Sequence, residues 1–554
     1  MGKIFRECNE EKWEQVRTHP YFKKMRESII EKTEKLLVTD PPRLKYSRLH
    51  MYADTGERMA YQNEYYEYRV RLESFLACYL LTGDEKYIEP LADIIWNICD
   101  IEAWTPPAHV KETESIERRR SFLDLGSTAT GFKLAETLYL VGDKLPELVY
   151  RRAKYELRER IVEAYKNYSF GWMTTTNNWA AVCISGVLAT YLYVAEKEEI
   201  DEQLPRMIET AKSYLKGFDD EGCCLEGYGY WFYGFYHFCI FAQMLSEYTD
   251  GAIDLFKDPK VHEIALFQQN MAINNNEAIS FSDAGLNFSP SVWFSHFLKN
   301  KYPDIELPPM PQAKGSASLR DILWIDPRFS DGEMKPKSKI FHNSQWLIYR
   351  GENYNFACKA GYNAEPHNHN DIGSFMISKN GKVTFTDPGK AEYTRQYFSS
   401  ERYNQLVCSS RGHSVPIING EAQVKSVRRS VIYEEAENRY AFSMENGYSI
   451  PSLTSLRRDF VCDTDGITLT DEYDFTETPE SITERFVSCR EITVETDGTV
   501  RCGDTVLKYD AESLEASVAV ESVQRAPGSV GNVWLLDLKL KNPEKHVVLS
   551  FRFE

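Results

Sequence analysis

The chain lacks the paired cysteine spacing of a redox or zinc motif: its twelve cysteines are scattered, only Cys223 and Cys224 are adjacent, and several fall in apolar patterns. That excludes a disulfide framework as the basis of the fold and predicts buried thiols in a reducing cytoplasm. Nor is there an apolar run long enough to span a bilayer, and the first residues are polar and acidic with no apolar leader core. The expectation is a cytoplasmic protein with no membrane partner, periplasmic or secreted only if a leader has been removed. Positive charge is also short. A formal net charge of -18 excludes nucleic acid and anionic membrane surfaces as general partners, since both need a basic footprint. An anionic ligand would need a locally basic groove.

Aromatic residues, by contrast, are plentiful: they make up 13% of the chain, with 34 Tyr and 10 Trp, enough to line a site for ring-shaped ligands beyond the needs of a core. A length of 554 residues allows two or three domains with large cores. From Glu10 to about Lys299 apolar residues recur at three- and four-residue spacing. This predicts helices over Tyr61–Leu81, Lys86–Cys99, Phe122–Leu140, Leu148–Tyr168, Trp179–Ala195, Leu204–Leu215, Tyr233–Tyr248 and Val261–Asn274. Gly83-Asp84 and Gly142-Asp143 each place a glycine where a helix ends and an aspartate where the next can be capped. Helical hairpins of this kind stack into an array or close into a ring. Pro-rich text between Leu307 and Gly315 cannot continue a helix. Beyond it short alternating or β-branched runs predict strands over Gln345–Tyr349, Tyr354–Ala360, Ser374–Ser378, Lys382–Thr386, Ser430–Glu434, Gly466–Thr470, Thr493–Glu495, Val533–Lys539 and His546–Phe553. Asn380-Gly381 reads as a tight hairpin turn. The expected organisation is a helical domain over 1–315 followed by an antiparallel β-sandwich over 316–554.

The densest chemistry lies in Glu365-Pro-His-Asn-His-Asn-Asp-Ile-Gly-Ser-Phe375, with two imidazoles, two amides and two carboxylates ahead of an apolar run. A flat strand there would turn His367 and His369 to one face. His369, Asp387 and His413 together are a donor set suited to a divalent metal such as zinc. In the helical half, Asn177 and Asn178 open an apolar helix, where either can cap it. An aromatic, glycine-broken segment, Glu226-Gly-Tyr-Gly-Tyr230, offers phenols for proton transfer.

These motifs, in order Asn177-Asn178-Trp179, Glu226-Gly-x-x-Tyr230, His367-Asn-His369-Asn-Asp-Ile-Gly-Ser-Phe375, Thr386-Asp387-Pro-Gly389 and Gly412-His413-Ser-Val-Pro416, resemble the heparinase II/III-like superfamily of polysaccharide lyases. The resemblance implies an incomplete (α/α) toroid followed by an antiparallel β-sandwich, with the active site in the cleft between them. It also implies β-elimination at a uronic acid: the C5 proton is removed, the C4–O bond breaks and an unsaturated uronate end appears. Asn178, with Asn177 beside it, is implied to offset the substrate carboxylate. His367 is then general base or carboxylate partner, and Tyr230 protonates the leaving oxygen and can also take the C5 proton, with Tyr228 its nearest rival. His369, Asp387 and His413 match the family's metal triad, usually zinc, with manganese or calcium as other fits. The metal is implied to hold the loop of His367, and the division between the two histidines favours a bent loop over a flat strand.

A second tyrosine is implied among Tyr393, Tyr397 and Tyr403. Arg395, Arg402, Arg411 and Arg118 to Arg120 are candidates for a local positive field, and Trp179 for substrate contact. Trp179 stands where some alginate-cleaving relatives carry His, which favours glycosaminoglycans such as hyaluronan, chondroitin or heparan sulfate. The expected partner is thus an anionic uronate-containing glycan. The alternatives are an alginate or other polyuronate lyase, a glycoside hydrolase on a helical toroid, which would need two facing carboxylates among acids such as Asp124, Glu226 and Asp371, and a non-catalytic glycan-binding protein.

Overall fold

The structure is a computed structural model that describes residues 4–308, 318–329, 332, 334–365, 367–394, 396–495, 498–526 and 528–554. The expected junction at 315/316 and Arg395 lie outside those residues. Two compact units are present. One comprises Met1–Gly217, Tyr233–His262 and Pro290–Gly332; the other comprises Phe218–Phe232, Glu263–Ser289 and Glu333–Glu554. Two segments from the helical half of the sequence therefore belong to the β-rich unit, and they carry Glu226, Tyr230 and Asp283.

The helical unit is built from the helices Met59–Thr82, Ile88–Asp100, Leu125–Val141, Glu147–Leu157, Asn178–Val194 and Lys197–Leu215, among others. Their apolar faces pack on one another, Leu125–Val141 most extensively on Asn178–Val194. That crossing is close because Gly186 has no side chain: a Cβ there would lie 2.4 Å from the Thr128 carbonyl oxygen. The first of the two glycine corners forms as the sequence suggests. Gly83, at φ 69°, ends its helix, and Asp84 accepts a hydrogen bond from the Lys86 amide at 3.0 Å. The second differs, since Gly142 stays in right-handed helical geometry and runs on into a short turn over Gly142–Lys144. Among the described residues no helix is long and apolar enough to cross a membrane. All twelve cysteines are free, and all but Cys8 and Cys489 are buried.

The β-rich unit contains three antiparallel sheets. A five-stranded meander runs through Lys339–Phe341, Trp346–Arg350, Tyr354–Lys359, Phe375–Lys379 and Lys382–Val383. An eight-stranded sheet has Leu453–Cys462, Ile467–Phe475 and His546–Phe553 at its centre, and a four-stranded sheet joins Leu514–Ala526, Ser529–Leu540, Ile482–Ser488 and Ile417–Ile418. Leu347, Phe356 and Phe375 from the first sheet, Phe460, Leu469 and Phe551 from the second, and Phe486 and Leu536 from the third form one buried core. Alternation along each strand turns such residues inward. Asn380 and Gly381, at φ 50° and 73°, make the expected tight turn.

Candidate active site

The loop between the strands Tyr354–Lys359 and Phe375–Lys379 carries His367 and His369. It is pinned from beneath. Asp371 N–H donates to Asn363 Oδ1 at 3.1 Å, the Asn363 amide donates to Gln423 Oε1 at 2.9 Å, and Gln423 in turn donates to the Ile372 carbonyl at 2.7 Å. The buried Lys359 ammonium lies 3.3 Å from Glu365 and 2.9 Å from Asp371. His367 itself sits at φ 53°, a left-handed conformation that bends the chain there. The loop is therefore bent, and its two imidazoles have different surroundings.

Asp283 joins those surroundings. It is fully buried, and its Oδ2 accepts a hydrogen bond from His367 Nδ1 at 2.7 Å. Its Oδ1 faces His369 Nε2 at 3.1 Å, accepts from Arg402 Nη2 at 3.0 Å and accepts from the Tyr397 hydroxyl. Burial alone would raise this carboxyl, but the hydrogen bonds from the two histidines hold it far below the usual carboxylate range. The residue before it, Ser282, has φ 61°, a strained conformation of the kind that gathers at functional sites.

Beyond His367 lies Tyr230, with ring centroids 4.3 Å apart. Its hydroxyl donates to Tyr393 Oη at 3.0 Å. Burial pushes the Tyr230 phenol up to about 12, even with the Tyr393 hydrogen bond lowering it, so it keeps its proton at neutral pH. Glu226, raised by burial, has Oε2 3.8 Å from His367 Nε2. The three β-side tyrosines now have separate positions. Tyr393 touches Tyr230, Tyr397 is fully buried on Asp283, and the Tyr403 hydroxyl donates to Asn368 Oδ1 at 3.0 Å. Arg402 also donates to the His367 and Asn368 carbonyls, at 3.2 Å each. His367, Asn368, Tyr397, Arg402, Tyr403 and Lys425 line an open pocket of about 640 Å³. Tyr228 is buried against Trp231 and Phe288, and its hydroxyl has no hydrogen-bond partner among the described residues.

His369, Asp387 and His413 are all buried, and one potential ligand atom from each lies within 4.8 Å of the others. The surroundings suit a cation. His413 Nε2–H donates to the Val407 carbonyl at 2.8 Å, which turns the Nδ1 lone pair toward Asp387 Oδ2, 2.9 Å away. His369 Nδ1 is buried with no hydrogen-bond partner among the described residues, while its Nε2 is backed by Asp283. An orphaned lone pair beside a carboxylate, on an imidazole held from behind by a second carboxylate, is the arrangement that metal-binding histidines show. Asp387 reaches this place because Gly389 lets its segment press on Ala284: a Cβ on Gly389, itself at φ 65°, would lie 2.4 Å from the Ala284 carbonyl oxygen.

On the helical unit the adjacent asparagines have separate tasks. Asn177 caps the helix Asn178–Val194, with Oδ1 accepting from the Trp179 amide at 3.1 Å and from the Thr175 hydroxyl at 3.2 Å. The Asn178 side chain makes no hydrogen bond among the described residues. Of the neighbouring arginines, Arg119 is bound to Glu102 and Arg120 to Glu156, and Arg118 lies over Phe122, Tyr168 and Phe170. Arg411 donates to the Gly420 carbonyl at 2.7 Å. Asp283 is the residue that sequence reasoning missed. Its one local signal is a Ser-Asp-Ala-Gly turn composition, common in any loop.

The fold has solved counterparts. "Crystal Structure of Heparinase III" has a TM-score of 0.70 at 14% identity over 98% of this chain and 88% of that one. A heparan sulfate lyase HepC mutant from Pedobacter heparinus has a TM-score of 0.65 at 13% identity, over 95% of this chain and 82% of that one. The Streptomyces coelicolor A3 chondroitin AC lyase, solved with chondroitin sulphate, has a TM-score of 0.56 at 9% identity, over 98% of this chain and 81% of that one. The architecture is thus an (α/α) toroid followed by an antiparallel β-sandwich, as the motifs imply. No curated protein matches the chain. Residues 333–539 match the family described as Heparinase II/III-like, C-terminal. They form a domain of that kind, and the resemblance to the heparinase II/III-like superfamily is borne out.

Proposed function

We propose that the protein is a polysaccharide or oligosaccharide lyase that cleaves uronic-acid-containing glycans, glycosaminoglycans foremost, by β-elimination. The observation that carries this reading is the pairing of His367 with Tyr230 over the buried Asp283. Asp283 takes the Nδ1–H of His367, which leaves the Nε2 lone pair to remove the C5 proton. As the C5–H pair moves to form the C4–C5 double bond, the C4–O pair leaves with oxygen. The Tyr230 phenol, protonated at neutral pH, donates to that oxygen and is reprotonated through Tyr393 or solvent. Asn178 supplies an amide donor to the uronate carboxylate, by resemblance to the family, and lowers the cost of the enolate-like intermediate.

A metal held by His369, Asp387 and His413 would act as a structural anchor for the loop of His367. Two imidazoles and one carboxylate favour zinc over manganese or calcium. The hydrolase alternative fits poorly: of its candidate acids Asp371 is committed to Lys359 and Asp124 to Ser127, Thr105 and His109, and Glu226 beside His367 has as its neighbouring carboxylate the buried Asp283, which is taken by four partners. Incubation with hyaluronan, chondroitin sulfate, heparan sulfate and alginate tests the reading. New ultraviolet absorbance from the conjugated double bond is expected on a glycosaminoglycan, and its loss in Tyr230→Phe and His367→Ala. Silence on all four glycans would overturn the proposal, and turnover of alginate alone would move the substrate class.

A further inference from the structure

Asp124 is fully buried at the head of the helix Leu125–Val141. One of its oxygens is enough for the cap: Oδ1 accepts from the Ser127 amide at 2.8 Å and from the Thr105 hydroxyl at 3.1 Å. The other oxygen faces His109 Nδ1 at 2.5 Å. A buried carboxylate is costly to leave half-satisfied, so this second contact both completes Asp124 and fixes the proton of His109 on Nδ1. The ring's remaining polar atom, Nε2, makes no hydrogen bond among the described residues, and the side chain is 21% exposed. The imidazole rests against Trp179, with centroids 4.9 Å apart and planes tilted by 56°. Trp179 is itself partly exposed and directly follows Asn178, a buried residue whose side chain makes no hydrogen bond among the described residues. An indole and an imidazole oriented from behind thus share one patch of the helical unit, next in sequence to Asn178. The nearby cations Arg119 and Arg120 are neutralised by carboxylates.

We propose that His109, aligned by Asp124, is a substrate-contacting residue that forms with Trp179 and Asn178 a subsite for an acid-bearing pyranose. The inference rests on the lyase reading above and adds a recognition group to it. The indole takes the C–H face of the sugar. With an anionic oxygen at Nε2 the imidazole presents N–H at both nitrogens, one to Asp124 and one to the ligand. The shared chemistry is an anionic oxygen on the ring, either the uronate carboxylate or a sulfate ester.

The experiment compares the full-length wild type with His109→Ala, His109→Gln and Asp124→Asn, the last of which keeps a capping side chain. Steady-state kinetics are measured on unsulfated hyaluronan and on chondroitin sulfate. Loss of one charge-assisted hydrogen bond predicts a KM raised about tenfold with kcat within about threefold for His109→Ala. Asp124→Asn should shift KM in the same direction and less. An equal effect on both glycans assigns the carboxylate, and an effect confined to chondroitin sulfate assigns the sulfate. KM unchanged within twofold on every glycan that the wild type cleaves overturns the inference, and a lowered melting temperature without a KM change does the same by marking a structural role. If the wild type cleaves nothing, the lyase reading falls by itself. Calorimetric titration of hyaluronan and chondroitin sulfate oligosaccharides onto wild type and His109→Ala then decides, with equal affinity or no binding overturning the subsite.

Discussion

In the helical unit Asn178 is presented by a helix end that its neighbour Asn177 caps, whereas in the β-rich unit His367 is held by a buried carboxylate that also binds Arg402, Tyr397 and His369. The first arrangement needs only backbone geometry and apolar packing behind it. The second needs ions in a low-dielectric interior, where each charge is stable only while its partners remain. Arg458 shows how far this goes. Fully buried, it binds Asp471 through Nε at 2.8 Å and donates through Nη1 to the Gly373 carbonyl at 2.8 Å and the Ser414 carbonyl at 2.7 Å. It therefore ties the end of the His367 loop to the segment that follows His413. Substitutions in the β-rich unit should couple function to stability, and those at the helix end should separate them.

The largest effect is expected at Asp283. Asp283→Asn keeps the shape but no longer fixes the tautomer of His367, and kcat should fall by about 10³–10⁴, by analogy with the orienting carboxylate of a catalytic triad. The melting temperature should fall as well, because Arg402 and His369 lose a charged partner. Full activity would show that His367 needs no such alignment. Arg458→Met comes next: it strands Asp471 and Glu484 and should cost about 3–5 kcal/mol of unfolding free energy, read by denaturant titration. Arg458→Met combined with Asp471→Asn and Glu484→Gln should recover part of that loss. A loss under 1 kcal/mol for the single variant would mean that the buried ions do not hold this unit together.

The same buried ions explain where the sequence was opaque. Strands with apolar inward faces, such as Tyr354–Lys359 and His546–Phe553, were legible from alternation. Leu453–Cys462 and Ile482–Ser488 were not, because their inward positions include Arg458 and Glu484, each fully buried. The strand Ile467–Phe475 is legible only as far as Thr470, the residue before the inward Asp471. Charges at core positions erase the period-two signal on which strand reading depends. His367 and His369 stand out because rare residue types cluster around them, whereas Asp387 and His413 lie apart in sequence and join them only through the resemblance. Asp283 does not, since its meaning comes from His367, His369, Tyr397 and Arg402, which lie 84, 86, 114 and 119 residues away. In the helical half the two glycine-aspartate corners looked alike, yet Gly83 turns left-handed whereas Gly142 makes room for Tyr150, whose ring a Cβ would meet at 2.7 Å. Sequence cannot separate those two uses of glycine.

Removal of the proposed metal is the third way to break the comparison. A strong chelator should lower the melting temperature by an amount equivalent to about 3 kcal/mol, if the ion is present at about a hundredfold over its dissociation constant. Activity should fall with it and return on adding zinc. The change should be absent from His413→Ala, which has already lost a ligand. A chelator that leaves the wild-type melting curve unmoved would remove the metal from the account of the loop.

The smallest and sharpest test lies within two adjacent residues of the helical unit. Asn177 has its side-chain oxygen spent on the Trp179 amide, so Asn177→Ala should cost about 1 kcal/mol of stability, as helix caps do, with kcat changed less than about threefold. Asn178 has no such duty, and Asn178→Ala should leave stability within about 0.5 kcal/mol while lowering kcat about 10²–10³-fold, the range for removing one donor to a developing anion. The opposite outcome, with catalysis lost at Asn177 and stability lost at Asn178, would exchange their roles. Equal losses of both properties at both positions would mean that the helix end, like the β-rich unit, cannot separate function from fold.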